Sequence, residues 1–411
     1  MGTTDRARRG GETELGRVLV TDANSPKALA IVRALGRGTE VWTASESRLA
    51  LAAWSHYTTR HLRYRFDGPT GLVPWLLTTC REHSIQVVLC PEERSSFLVS
   101  RARDLFAAAG VRVAVPPAEA LERVMDKAAT IEAAAGLGVR VPRTRQLCDR
   151  NEAIGAAREL GYPVVVKPRF SHYWDGHGFV SSHGVAYAGS DAELQAAVSN
   201  TQPASMPPPL LQEFIPGDGV GFSAILAPDG TPCAEFAHER LRDLRPTGSG
   251  SVLRRSVAID PHLRDWSLAL LRSLCWSSVA MVEFRRDSRT GAAYLMEVNG
   301  RFWGSLQLAV DAGVNFPEIL VRTTLGQRVT APPYQEGVIV RWWLGDLMRA
   351  WRVLRGPPSG FPGRFPSRGS GLRNFLGPQP PQTRNEVLRR DDPWPAVGEL
   401  VCVLGRALRS R

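Results

Sequence analysis

Two carboxylates and an amide oxygen fall at spacings that would bring them together in the stretch AMVEFRRDSRTGAAYLMEVNGRF. Two short strands flank the turn Asp287-Ser288-Arg289-Thr290-Gly291, which predicts a β-hairpin. Side chains alternate across a strand, so Glu297 and Asn299 project to one face, and an even-sum register adds Glu283 from the facing strand. Three oxygen donors within about 8 Å on a rigid sheet suit a hard cation, since Mg²⁺ takes one or two carboxylates and completes its shell with phosphate oxygens. Standing alone, the same acids could be a solvated pair on an edge hairpin.

They do not stand alone. Of the 51 lysines and arginines only three are lysine, Lys27, Lys127 and Lys167. An ammonium is a compact charge that follows a phosphate, whereas a guanidinium is a rigid fork, so a lysine that survives this bias can mark a specific need. Lys167 ends the apolar strand PVVVKP, where an unpaired ammonium is costly unless it reaches solvent or meets an anion such as a nucleotide phosphate. Lys127 lies on a helix expected from Ala118 to Gly136, a place where a lysine is ordinarily solvated.

The elements that must position these residues can be read in order. Arg17 to Ser45 reads strand, turn, helix, strand, with Ser25 capping a helix begun by Pro26. IQVVLCP and VRVAVP supply two further strands, so residues 17–116 form a parallel-sheet α/β domain. The loop after the first strand, Asp22 to Lys27, has no GxGxxG cradle, which disfavours a dinucleotide. Residues 117–204 make a second unit whose stretch Phe170 to Gly184, rich in Gly, Ser and His, reads as a mobile loop. Residues 205–330 make a third, with the strand and turn LLQEFIPGDG. Residues 331–411 carry a helix over Val338 to Leu354 and a Pro/Gly/Arg-rich extension read as a linker or wrap. On that helix Trp343, Leu347, Trp351 and Leu354 form a stripe, read as packing on the protein's own body, with a membrane surface as the alternative.

Composition excludes several classes. No apolar run approaches the ~20 residues of a membrane span, so no integral membrane segment is expected. Residues 1–16 are polar without an apolar h-region and read as a disordered tail, which points to the cytoplasm. The net charge of +11 is spread without aromatic interleaving, which argues against nucleic acid. Six scattered cysteines without a CxxC pair give no structural zinc spacing. Nothing in the sequence decides between a monomer and a homodimer.

In order, Asp126-Lys127, PVVVKP, QEFIPG, VEF and MEVNGRF resemble the ATP-grasp superfamily over about residues 17–330, in particular the carboxylate–amine ligases of the carbamoyl-phosphate-synthase-like group. The resemblance implies an ATP-grasp fold, α/β overall and α+β in its catalytic part. In it, 17–116 are the pre-ATP-grasp domain, 117–204 the small lid subdomain and 205–330 the catalytic subdomain. It also implies ATP with Mg²⁺ (or Mn²⁺), with Lys127 and Lys167 on the phosphates beneath the loop Ser171 to Gly184. Gln212 and the backbone of Glu213 and Ile215 would hold adenine, and Asp218 the ribose. Glu283, Glu297 and Asn299 would hold the metal, and Arg301 would face the transferred phosphate or the substrate carboxylate. HERLRDLRPTGSGS resembles the group's substrate-side segment, where Arg240 and Arg242 share a face if extended and offer forks to a carboxylate. Relatives tend to carry paired glycines where this chain has Gly248-Ser249, which puts that loop's contacts in question.

The reaction so implied is ATP-dependent phosphorylation of a small-molecule carboxylate, then attack by a small-molecule amine to give an amide, ADP and phosphate. A thiol acceptor, or a regulator that binds ATP without ligating, are the alternatives. No GxSxG elbow or histidine-bearing cysteine motif offers a covalent nucleophile.

Overall fold

The computed structural model describes residues 15–66 and 69–409. The tail expected over 1–16 lies outside them except for Leu15 and Gly16, and Leu15 is buried. Among the described residues no helix is long and apolar enough to cross a membrane.

The first unit is a five-stranded parallel sheet, with Arg60–Arg63 at one edge, then Glu40–Ser45, Arg17–Val20, Val87–Leu89 and Arg112–Val113. Four of these strands match the apolar runs in the sequence. The edge strand RHLR escaped that pattern because none of its side chains is buried. Ser25 caps the helix Pro26–Leu35, its Oγ accepting from the Ala28 N–H at 3.2 Å. The strand order runs outward in both directions from the neighbours Arg17–Val20 and Val87–Leu89, so the sheet has its topological switch point between them.

The helix expected from Ala118 to Gly136 is two helices, Ala118–Met125 and Lys127–Gly136. Asp126 breaks it by leaving helical geometry and capping the second, with its carboxylate accepting from Ala128 N–H at 3.0 Å. Lys127 is therefore the first residue of a helix rather than an interior one.

A four-stranded antiparallel sheet follows, in the order Ala186–Ala188, Val164–Lys167, Leu210–Glu213, Thr144–Gln146, backed by helices Ala153–Leu160 and Asp191–Thr201. The strand Leu210–Glu213, expected in the third unit, is laddered into this sheet through Leu210↔Lys167 and Leu211↔Val166. Between these strands the Gly- and His-rich stretch is not an unstructured loop. It is a hairpin, His172–Trp174 with Phe179–Ser181. Trp174 and Phe179 pack at 5.1 Å between centroids, and Phe97 of the first unit meets Phe179 at 5.4 Å and Trp174 at 6.0 Å. Each such aromatic pair contributes about 0.5–1.5 kcal/mol beyond its buried area, so the hairpin is docked on the first unit.

The third unit is a seven-stranded sheet in the order Ala293–Asn299, Ser278–Asp287, Gly217–Leu226, Pro232–Arg242, Leu253–Ser256, Ile339–Arg341, Arg384–Asn385. All its pairings are antiparallel except the last. The helix expected over Val338 to Leu354 thus begins only at Trp343, because Ile339–Arg341 joins the sheet. It buries Leu344, Ala350 and Val353, while Trp343, Leu347, Trp351 and Leu354 keep much of their surface exposed, and within the stripe Trp343 packs on the protein's own body through Phe375, at 5.7 Å between ring centroids.

The Pro/Gly/Arg-rich extension wraps back over the molecule. Phe361 packs against Tyr187 at 4.9 Å and Phe214 at 5.8 Å. Farther on, Arg33 donates Nε–H to Asp392 Oδ2 at 2.8 Å and its Nη groups to the carbonyls of Glu386 and Val387, both at 2.8 Å. Asp392 also accepts from Ser55 Oγ at 2.7 Å and the His56 N–H at 3.1 Å, and it is fully buried. The extension is a staple between the first and third units rather than a free linker.

Candidate active site

The hairpin Ser278–Asp287 with Ala293–Asn299 has the expected even register at its catalytic end, with Glu283 opposite Glu297 and Met281 opposite Asn299. One face buries Val282, Phe284, Leu295 and Val298 in the core, and the other presents the half-buried Glu283, Glu297 and Asn299. Asn299 Nδ2 donates to Glu297 Oε1 at 3.2 Å, which leaves the amide oxygen for a ligand. The register shifts just beyond, where Phe284 faces Leu295, so Met296 is the extra residue of a β-bulge. Its carbonyl accepts from Lys167 Nζ at 2.7 Å. The bulge thus docks the lysine of the smaller sheet beside the carboxylates of the larger one.

Lys167 is 7% exposed. Burial lowers its pKa to about 8, opposed by Glu297 and Glu283. Burial alone would raise Glu297, but Lys167, Lys127 and Arg240 outweigh it and hold the carboxylate below its ordinary value. Charges of both signs are therefore packed together without full neutralisation, a usual sign of a functional site. Lys127 Nζ donates to Ser171 Oγ at 3.1 Å, and its own N–H donates to the Arg169 carbonyl at 3.1 Å. Arg169 in turn grips Asp126 through two hydrogen bonds of 2.8 and 2.5 Å, which fixes the helix start to the approach of the docked hairpin.

A cleft of about 140 Å³ separates the two sheets, and Lys167, Gln212, Glu213, Ile215, Glu283 and Glu297 all line it. Gln212 is buried and donates Nε2–H to Thr144 Oγ1 at 3.0 Å. The Glu213 N–H donates to the Arg143 carbonyl at 3.0 Å and its carboxylate pairs with Arg143 at 2.9 Å. Ile215 offers its carbonyl to Arg285 at 3.4 Å. Asp218 does not line the cleft and is exposed.

The two candidate forks separate. Arg240 pairs with Glu283 and, at 3.7 Å, with Asp243, inside the carboxylate cluster. Burial alone would lower its pKa, but Glu283 and Asp243 keep it above its ordinary value. The register shifts between Arg240 and Arg242, so the shared face expected of them does not form. Arg242 instead joins Arg341 on the buried Asp346 of the C-terminal helix.

Residues outside the expected set also line the cleft, among them Tyr187, Thr247, Gly248 and Arg285. Tyr187 donates its hydroxyl to the Thr247 carbonyl at 3.2 Å, and Arg285 donates to that of Gly248 at 2.7 Å, which draws this loop over the cleft. Gly248 has φ +102°, and a Cβ there would lie 2.1 Å from Arg285 Nη2, so glycine is needed at this position. Arg285 could have been found two residues beyond Glu283 by strand alternation. The loop closure has no local signal.

Two carboxylates with an amide oxygen fit a cation that completes its shell with ligand oxygens. Among the described residues no group of three or more His, Cys, Asp or Glu is arranged to hold a metal by itself.

Residues 206–345 match the family described as ATP-grasp in the biosynthetic pathway with Ter operon. No curated protein matches the chain. The biotin carboxylase domain of Hydrogenobacter thermophilus 2-oxoglutarate carboxylase, solved with MgADP, ADP and bicarbonate, is similar in structure with a TM-score of 0.63. It is 18% identical, over 79% of this chain and 73% of that one. N5-carboxyaminoimidazole synthetase from Staphylococcus aureus gives a TM-score of 0.61 at 13% identity, over 86% of this chain and 90% of that one. Biotin carboxylase from Campylobacter jejuni, solved with an ATP analogue, gives 0.63 at 16%, over 79% and 74%. The family's pattern thus lies over residues 206–345, which supply much of the cleft, and the fold around that cleft is the one these solved structures share.

Proposed function

We propose that the chain is an ADP-forming ligase that uses Mg²⁺–ATP to activate a carboxylate as an acyl phosphate and passes the acyl group to an amine. The observation that carries this reading is the meeting of Lys167, from one sheet, with Glu283 and Glu297, from the other, across a single cleft. Mg²⁺ held by Glu283, Glu297 and Asn299 would neutralise phosphate charge. Lys167 and Lys127 would bind phosphate oxygens, and Arg240, tied to Glu283, would hold that carboxylate in place. A carboxylate oxygen of the acid bonds to the γ-phosphorus as the P–O bond to ADP breaks. The amine nitrogen then bonds to the acyl carbon as the C–O bond to phosphate breaks, and the nitrogen gives up a proton. The docked hairpin keeps water from the acyl phosphate.

The test is ADP release with Mg²⁺–ATP across panels of carboxylates, bicarbonate included, each with amines and thiols. Turnover that needs both an acid and an amine is expected. Turnover with thiols only would move the acceptor class, and nucleotide binding with no turnover on any pair would make the chain a regulator.

Lys167 gives a second expected result. Its folded pKa of about 8 lies below the ordinary lysine value of 10.5, so the unfolded chain binds the proton more tightly. The charged lysine therefore destabilises the fold below pH 8, and that penalty is relieved as pH rises from 8 toward 10.5. Lys167→Met should keep or raise the melting temperature at pH 7 while weakening ATP binding by about tenfold or more. A variant that loses stability and keeps its ATP affinity would make Lys167 structural.

A further inference from the structure

The helix Trp343–Arg355 turns one face outward. Trp343, Leu347, Trp351 and Leu354 follow one another at helical spacing, so they form a single stripe about 16 Å long on a helix that rises about 1.5 Å per residue. Met348 widens the stripe, and Trp351 at its middle is 57% exposed. The rest of the helix is anchored, with Ala350 and Val353 buried and Asp346 held by Arg242 and Arg341.

A second helix, Arg368–Leu376, lies against the first. Arg368 donates Nε–H to the Leu354 carbonyl at 3.1 Å, and Trp343 meets Phe375 at 5.7 Å between ring centroids. A Cβ on Gly371 would stand 2.6 Å from a methyl of Val353, so glycine lets the two backbones approach. The pair is thus held antiparallel, and the second helix adds Leu372 and Leu376, the latter 70% exposed. Bare apolar surface gathered on two packed helices marks a contact site, because a monomer scatters such residues singly.

The charge around this surface has one sign. Between Trp343 and Leu376 stand six arginines and one acid, Asp346. Asp346 is buried, and so is Arg349. What remains toward solvent is Arg352, Arg355, Arg364, Arg368 and Arg373, none of which is ion-paired among the described residues. Arg355 carries its guanidinium 5.0 Å over the Trp351 ring, which sets a cation at the rim of the stripe.

Tryptophan and leucine on one face, flanked by arginine and free of exposed acids, is the make-up of a helix that lies in the plane of a bilayer interface. Its apolar side chains enter the acyl boundary while the arginines stay among the headgroups. A second copy of the chain would set these arginines against their like, and a nucleic acid would cover the cations and leave the leucines wet. We propose that the face made by these two helices rests on an anionic membrane surface as a peripheral contact. The proposal stands apart from the ligase reading, and the failure of one leaves the other in place.

The test mixes the full chain with vesicles of phosphatidylcholine, and with vesicles in which about 30% of the lipid is phosphatidylglycerol, and reads bound protein by co-sedimentation. Affinity for the anionic vesicles should be higher by about tenfold or more, and should fall as ionic strength is raised from about 0.1 M to about 1 M, since salt screens the arginines. Trp351→Gln and Leu376→Gln remove apolar surface and no charge, and each should weaken binding to the anionic vesicles by about fivefold or more. Both positions are exposed, so the fold should be kept, which the melting temperature checks, and Leu372→Gln takes the place of either variant that does not fold. The proposal is overturned if neither vesicle binds or if both bind equally. It is also overturned if binding to the anionic vesicles survives in the folded variants, because the contact would then be adsorption by the overall charge of +11. A dimer in solution that the same variants dissolve, with no vesicle binding by the wild type, would give the face to a second copy instead.

Discussion

Glu297→Gln should lower ADP release by about a thousandfold or more while leaving the fold intact, because it removes the proposed cation ligand and the counter-charge of Lys167. Glutamine keeps the shape of the side chain, and Val298 and Leu295 on the opposite face keep their burial, so the sheet has no reason to rearrange. What changes is charge. Glu297 stands opposite Glu283, accepts from Asn299 and is the largest charge opposing the loss of the Lys167 proton. Without it Lys167 is held only by Glu283 and the Met296 carbonyl, and its pKa should fall further, so on the proposed reading the variant would lose a metal ligand and part of a phosphate cation together. The measurement is steady-state ADP release at saturating nucleotide, repeated with Mn²⁺, beside the melting temperature. Activity within about tenfold of wild type in a folded variant would mean that Glu297 is not a metal ligand, and the mechanism above would have to be rebuilt on Glu283.

The parts of this site that were legible in the sequence are those governed by period. Strand alternation places Glu283, Glu297 and Asn299 on one face whatever the rest of the chain does, and the structure has that register. The bulge at Met296 was not legible, because an extra residue in a strand leaves the apolar pattern of Leu295 and Val298 unchanged while it turns one carbonyl toward Lys167. Residue type at a boundary carried partial information. Asp126 is a favoured cap and breaks its helix, but an acidic residue inside an amphipathic pattern reads equally as a solvated position. The hairpin over 172–181 and the edge strand Arg60–Arg63 were missed for a common reason. Each is short and mostly polar, and each is fixed by neighbours distant in sequence, Phe97 and the strand Glu40–Ser45.

The separation of Arg240 from Arg242 shows the same limit from the other side. Both lie on one strand two residues apart, so alternation alone assigns them one face and one role. The register shift between them sends Arg240 to Glu283 and Arg242 to Asp346, and only the partner strand Leu253–Ser256 determines where that shift falls. The scarcity of lysine was the more informative signal. Lys167 meets the Met296 carbonyl beside the cleft carboxylates, Lys127 meets Ser171, and Lys27 is paired with Glu92 in the first unit.

The C-terminal staple should matter to stability as much as Glu297 matters to chemistry. Asp392 is fully buried and is the counter-charge of Arg33, whose side chain is 6% exposed. Truncating it leaves a guanidinium with three carbonyl partners and no anion in a site closed to water, and strips Ser55 and His56 of their acceptor. Removing one member of a buried pair typically costs about 3–5 kcal/mol, because the remaining charge is left uncompensated. Asp392→Ala should therefore lower unfolding free energy by about that much, and the loss should be recovered in large part by the double variant Arg33→Met/Asp392→Ala, which buries no charge at all. Denaturant unfolding of the single and double variants measures it. The order of the two decides the origin of the effect: if the double variant is no more stable than the single, the staple works through packing of the segment from Glu386 to Asp392 and not through its charges. Because this segment also pairs Glu386 with the fully buried Arg254 of the seven-stranded sheet, loss of the staple should also loosen the first unit from the third.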